Sequence, residues 1–169
     1  MKSILRSAVA ALVITTVIVR AAPPTKEMLD TLNKVARQVN AGNADALEQL
    51  RTIPKDTSFH PLFRYVLENR WQHDKPEALK IAKKAAQIIV ETPRYTDYFT
   101  ELFSKDNLKF EKNPNFGRLR LMAIETLGYI NNRDAIRILC ESMESPASSF
   151  FTAELAKMNT PGAPFTSKQ

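Results

Sequence analysis

From Thr25 onward apolar residues recur at three- and four-residue steps: Met28, Leu29, Leu32, Val35, Ala36 and Val39. That spacing predicts an amphipathic helix that begins after Pro23-Pro24 and ends at Asn40-Ala41-Gly42. Asn43 is placed to cap a second helix carrying Ala46, Leu47, Leu50 and Ile53, which Pro54 stops. A second pair follows. Its first member runs from Pro61 to Trp71, with Leu62, Phe63, Val66, Leu67 and Trp71 as the apolar set. Its second opens at Asp74-Lys75-Pro76-Glu77, with Asp74 as the N-cap and Pro76 in the first turn, where a missing N–H costs nothing. There Ala78, Ile81, Ala82, Ala85, Ile88 and Ile89 form one stripe, and Lys80, Lys83, Lys84 and Gln87 take the other side.

After Pro93, Tyr95, Tyr98, Phe99, Leu102 and Phe103 make an aromatic stripe at helical spacing, and a polar stretch continues through Lys112. Pro114 opens a further pair. Leu119, Leu121, Met122, Ile124, Leu127 and Ile130 lie around more than one side of its first helix, which predicts burial on two flanks. Asn131-Asn132-Arg133-Asp134 reads as the turn: the asparagines suit a helix C-terminus or a left-handed residue, and Asp134 suits the start of the next helix. That helix carries Ala135, Ile136, Leu139, Cys140 and Met143 and stops near Pro146. Ser149 to Met158 predicts a last short helix, and residues 159–169 a flexible, turn-rich tail. Four glycines against ten prolines, with no Asn-Gly or Asp-Gly hairpin signal, make the expected fold all-α: antiparallel helical hairpins.

The second helix of each pair begins alike, with Asp45-Ala46-Leu47, Glu77-Ala78-Leu79 and Asp134-Ala135-Ile136. The intervals are 32 and 57 residues, and Asp106-Asn107-Leu108 falls where a degenerate copy would divide the second. Periods of this length mark stacked helical hairpins. Leu119-Arg120, Ala123, Leu127-Gly128, a short polar turn with Asp134, then Ala135, Leu139, Met143 and Pro146 resemble the short HEAT repeat found in many bacterial proteins. The resemblance covers residues 119–146. The Asp45 unit lacks the Leu-Gly ending, and a tetratricopeptide-like array is the nearest rival. The likeness implies a short α-α superhelix in which Arg120 ties adjacent units. Its structural positions are Arg120, Ala123, Leu127, Gly128, Asp134, Ala135 and Leu139, with Gly128 expected to permit tight packing.

The N-terminal residues have the form of a cleaved signal peptide. Lys2 and Arg6 make a basic region, Ser7 to Val19 is uncharged and mostly apolar, and Val19-Arg20-Ala21 fits cleavage after Ala21. The thirteen residues between Arg6 and Arg20 would make a helix of roughly 20 Å, short of the roughly 30 Å of hydrocarbon a membrane anchor must cross. The expected organisation is a signal over residues 1–21, a helical-repeat domain over 22–158 and the tail. The expected location is secreted or periplasmic, with no membrane span after cleavage. Losing Lys2, Arg6 and Arg20 reduces the 24 basic side chains by three against 18 acidic ones, leaving +3 where the whole chain has +6. That mild surplus gives no reason to expect specific nucleic-acid binding, which needs a concentrated basic face.

Candidate chemistry is sparse. His60 and His73 are the two histidines, thirteen residues apart, and neither forms an i, i+4 pair with another ligand, so no metal site is expected. Cys140 is the single cysteine; it excludes an intrachain disulfide and reads as a buried packing residue rather than a nucleophile. No glycine-rich phosphate loop is present, and no cofactor is expected. Lys80, Lys83 and Lys84 share a helix face, and Arg118 with Arg120, then Arg133 with Arg137, form a positive strip if hairpins stack. The expectation is a non-catalytic helical-repeat protein that acts as a protein-interaction module or scaffold for an unknown protein partner. The alternatives are binding of an anionic polymer or membrane surface through the basic faces, and a small hydrolase using Cys140.

Overall fold

The Thr25 hydroxyl accepts the Met28 N–H at 3.2 Å and so starts α1, Lys26–Asn40, at the predicted place. A computed structural model describes residues 23–104 and 116–144 of the chain. Apart from the turns between them these residues are helical, with no strand among the described residues. After α1 come a 3-10 helix, Ala44–Thr52, then α2, Lys55–Asn69, α3, Pro76–Glu91, and α4, Tyr95–Phe103. The last two described helices are α5, Phe116–Ile130, and α6, Arg133–Glu144. The signal-like residues 1–21, the Asp106 copy, Pro114, the predicted helix over 149–158 and the tail over 159–169 lie outside the described residues.

Two helix starts and one helix type differ from the sequence expectation, each for a local reason. Gly42, at φ 87°, ends α1 by giving its N–H to the Val39 carbonyl, and Asn43 then caps the next helix through the Asp45 N–H. That helix is 3-10 rather than α. Ala44, Leu47, Leu50 and Ile53, all buried, recur every three residues, a period that three residues per turn aligns on one face. Helix α2 starts at Lys55, not Pro61, so Pro61 lies inside it and has no N–H for the Thr57 carbonyl. An internal proline costs about 3 kcal/mol. Burial of Ser58 and Phe59 in the extra turns offsets that cost, with the Phe59 ring meeting Tyr98 edge to face at 4.6 Å. Pro76 at the first position of α3 drives the residue before it into extended backbone, so Lys75, at φ −121° and ψ 94°, is the N-cap instead of Asp74.

The core is continuous from α1 to α6. α1 packs on the 3-10 helix, the 3-10 helix on α3, α3 on α2, α2 on α5, α5 on α6 and α6 on α4. The expected α3 stripe, Ala78, Ile81, Ala82, Ala85, Ile88 and Ile89, is buried along its whole length. Helix α4 joins through its rings: Phe63 meets Phe99 at 5.5 Å, and Phe99 in turn meets Tyr95 and Phe103, each at 6.3 Å. Burial drives the Tyr98 phenol far above the ordinary tyrosine value, with Asp56 and Glu101 adding to the shift, so it stays neutral.

Two expectations fail on the outer helices. Trp71, placed in the apolar set of the second pair, sits in the turn after α2 and is 70% exposed. On α6 the buried face is Ala135, Ile138 and Ser142, while Ile136 and Met143 are 49% and 73% exposed and Cys140 is exposed rather than packed. The buried face is displaced around the helix from the predicted stripe because α4 and α5 pack on the Ala135–Ile138–Ser142 side; Asp134 stands in the first turn as expected, and Asn132 caps it. Its Oδ1 accepts the Ala135 N–H at 2.8 Å, and its amide gives a hydrogen bond to the Tyr95 hydroxyl at 3.3 Å. Asn131 takes the left-handed conformation, φ 48°, that a short polar turn requires.

Arg120 is buried, at 4% exposure, and ties α5 to the end of α4. Its Nε donates to the Leu102 carbonyl at 2.8 Å, its Nη2 to the Ser104 carbonyl at 2.7 Å, and its guanidinium stacks on Phe116 at 4.0 Å. Gly128 does not serve close packing: it is exposed, and an added Cβ meets nothing within 4 Å. Opposite mutational signs follow on one helix. Arg120→Ala, which strands two carbonyls at a helix end, is expected to cost about 3 kcal/mol. Gly128→Ala is expected to stabilise by about 0.5–1 kcal/mol. Urea midpoints of both variants check this, and a destabilised Gly128→Ala would contradict the open site.

Candidate functional site

The positions singled out by the repeat resemblance divide between core and surface. Ala123, Leu127 and Ala135 are fully buried, Leu139 is half-buried, Arg120 holds the end of α4, and Gly128 and Asp134 are exposed. Burial of Arg120 also removes it from the expected positive strip. Arg133 is exposed, and Arg137, on the next turn of α6, is paired with Glu141 at 2.9 Å. That hydrogen bond holds the Arg137 guanidinium above its ordinary value.

The lysine face of α3 is likewise engaged. Lys84 reaches Glu48 of the 3-10 helix at 2.5 Å, and Lys80 lies 3.8 Å from Asp45. Glu48 also binds Arg51, which bridges to Glu91 at 2.5 Å, and Glu91 accepts from Gln87 at 2.8 Å. Lys83 is exposed, and no ion pair engages it among the described residues. The face is therefore a ladder of alternating charge that fastens the 3-10 helix to α3, rather than a free cationic patch. Hydrogen bonds from Arg51 and then Lys84 hold the Glu48 carboxyl below its ordinary 4.5, and the Glu48 bond raises Arg51.

The remaining candidate nucleophile and ligands do not converge. His60 stands on α2, His73 in the turn after it and Cys140 on α6, with no hydrogen bond between Cys140 and either histidine. Desolvation first, then Arg64 and Arg118, hold the His60 imidazole below its ordinary value. Among the described residues no three His, Cys, Asp or Glu side chains gather to hold a metal ion, and no helix is long and apolar enough to cross a membrane.

The site with most built character lies where α2 turns into α3, and the periodicity argument passed over it. Trp71 stands out from the turn with the Arg70 guanidinium over its ring at 5.1 Å and His73 at its edge, centroids 6.4 Å apart. Arg70 is itself anchored to Glu125 of α5 at 3.3 Å. Its Nε and Nη1 are enclosed without a hydrogen-bond acceptor, a position tolerable where the face of an aromatic ring covers the cation. A side chain with 70% exposure is thus held in place from behind. Next to it, Asn69 and Gln72 line a cleft of ≈ 390 Å³ together with Asn40, Tyr65 and Glu68. The Asn69 and Gln72 amides each donate to a carbonyl of α2 at 2.8 Å, Tyr65 and Glu68 respectively, leaving their oxygens as acceptors. Burial holds the Tyr65 phenol above its ordinary value, so it remains a neutral donor. The cleft thus sets neutral donors and acceptors beside the charged side chains of Glu68, Lys75 and Glu77. The sequence signal was available: Gln72-His73-Asp74-Lys75 follow Trp71 directly and carry no apolar residue.

The charge ladder has a pH signature. Because the folded-state value of Glu48 is depressed, its contribution is present above about pH 4.5 and is lost as pH falls through the lower folded value. Exposure and salt keep the effect to about 0.5 kcal/mol. Glu48→Gln is expected to lower Tm slightly at pH 7, and the difference from the wild type to shrink as pH falls below about 4.5. A difference that does not shrink in acid would assign the loss to packing instead. No family model, curated protein or solved structure matches this chain.

Proposed function

We propose that this chain is a non-catalytic helical protein that binds another polypeptide, and that Trp71 is its principal contact. The observation that carries the reading is the outward-facing indole in the turn after α2, with the Arg70 guanidinium over its ring and Glu125 behind Arg70. Rigid aromatic side chains flanked by arginine and tyrosine lose little entropy on binding, which suits them to dominate an interface. The amide-lined cleft beside it supplies hydrogen-bond partners for peptide groups. Stacked helical hairpins of HEAT type are the architecture we infer, supported by the repeat spacing and by the sequence-neighbour pairs α1 with the 3-10 helix, α2 with α3, and α5 with α6. Export as a secreted or periplasmic protein is part of the same proposal and is supported by the basic and apolar pattern of residues 1–19.

The test is affinity capture from the compartment in which the chain resides, using residues 22–169 as bait in wild-type and Trp71→Ala forms, followed by titration of the captured protein. Loss of a central aromatic contact is expected to weaken binding about 30-fold or more. Lys83→Glu, on the α3 face, is the control and is expected to bind as wild type. Equal recovery of the partner on wild-type and Trp71→Ala bait would overturn the assignment of this surface.

A further inference from the structure

The turn that carries Trp71 is fixed along its backbone. The Gln72 N–H donates to the Asn69 carbonyl at 3.2 Å, the His73 N–H to the Trp71 carbonyl at 3.0 Å and the Lys75 N–H to the Gln72 carbonyl at 2.9 Å. What stays free is the indole, which turns about two side-chain bonds and is 70% exposed. The contacts that limit it are the Arg70 guanidinium over its face at 5.1 Å and the His73 ring at its edge. The guanidinium is held to the ring face by charge, so the pose of the indole depends on where Arg70 stays.

Arg70 has its own requirement. Its side chain is 15% exposed, its Nε and Nη1 are enclosed without an acceptor, and its Nη2 donates to Glu125 Oε2 at 3.3 Å. A guanidinium so far removed from water needs a counter-charge to stay there, and among the described residues Glu125 is the carboxylate that supplies it. Glu125 stands on α5, 55 residues along the chain. We propose that Glu125 is the positioning residue of the Trp71 surface: by keeping the guanidinium against the ring, it sets the pose of the indole from a different helix. With Glu125 made neutral, Arg70 loses its charge partner, turns out to water and leaves the ring. The indole then explores its other rotamers. A partner that meets a mobile indole bears the cost of ordering it, so Glu125 acts on affinity through Arg70. That effect on binding rests on Trp71 being the contact residue, whereas the pose of the indole does not.

Trp71 is the single tryptophan, so its fluorescence reports the pose in the full chain without any partner. Arg70→Gln is expected to raise the ratio of free to stacked indole about two- to five-fold, read as a larger nanosecond depolarisation of its emission and stronger quenching by acrylamide. Glu125→Gln, which keeps the shape and loses the charge, is expected to shift both readings in the same direction with helix content unchanged. The double exchange Arg70→Glu with Glu125→Arg is expected to return the urea midpoint toward the wild type, because the pair between α2 and α5 re-forms. It is expected to leave the indole loose, because a carboxylate now faces the ring. A merely structural pair restores both together, and that result overturns the proposal. Unchanged depolarisation in Arg70→Gln overturns the stack as the restraint, and an indole that loosens in Arg70→Gln but not in Glu125→Gln overturns the role of Glu125. Capture of a partner is a separate outcome: a loosened indole in Glu125→Gln together with undiminished recovery on Trp71→Ala bait supports the positioning role and overturns Trp71 as the contact.

Discussion

At the end of α4 a single buried guanidinium answers two backbone carbonyls. Arg120 reaches them from the first turns of α5 and meets Leu102 and Ser104 while its flat face rests on Phe116. A cation at a helix C-terminus gains from the dipole as well as from the hydrogen bonds. Burial makes the arrangement exacting, because a guanidinium removed from water must have both its charge and its donors met. The direction of α5 relative to α4 depends on this contact, and α5 in turn carries Glu125, the anchor for Arg70 behind Trp71. The principal surface feature therefore rests on a polar tie in the interior.

Around that tie the apolar packing divides by side-chain size. Alanines on α3 let it lie close to α2 and the 3-10 helix, whereas Tyr98, Phe99 and their neighbours hold α4 one ring length from α2. The charged residues respond to this geometry. Lys80 and Lys84 project from α3 and meet acids of the 3-10 helix, so two of the three lysines on that face are paired. Ion pairs of this exposure add little stability, but they offset part of the positive charge on that face.

Much of the fold was legible from periodicity. The stripes of α3 and α4, the caps at Thr25 and Asn43, and the turn at Asn131-Asn132 stand where the pattern puts them, because caps and amphipathic faces are local properties. The misreadings share one cause, that burial is decided by neighbours the pattern does not contain. Pro61 is tolerated inside α2 because Phe59, two residues earlier, finds Tyr98. Trp71 and Ile136 are as apolar as core residues, but one follows the end of α2 and the other stands off the face that α5 and α4 cover. The 3-10 helix belongs to a different class: its three-residue period was in the sequence and simply resembles a sparse α stripe.

By itself the sequence determined that the described chain is helical, where most of its helices begin and end, and which residues of α3 and α4 are core. Local backbone preference and side-chain spacing suffice for that. The tertiary structure alone decided that Arg120 is interior, that Lys80 and Lys84 of α3 are paired, that Gly128 faces open space, and that Trp71 stands exposed after α2. Each depends on which helices become neighbours, and that is a property of the assembled core, not of any one segment.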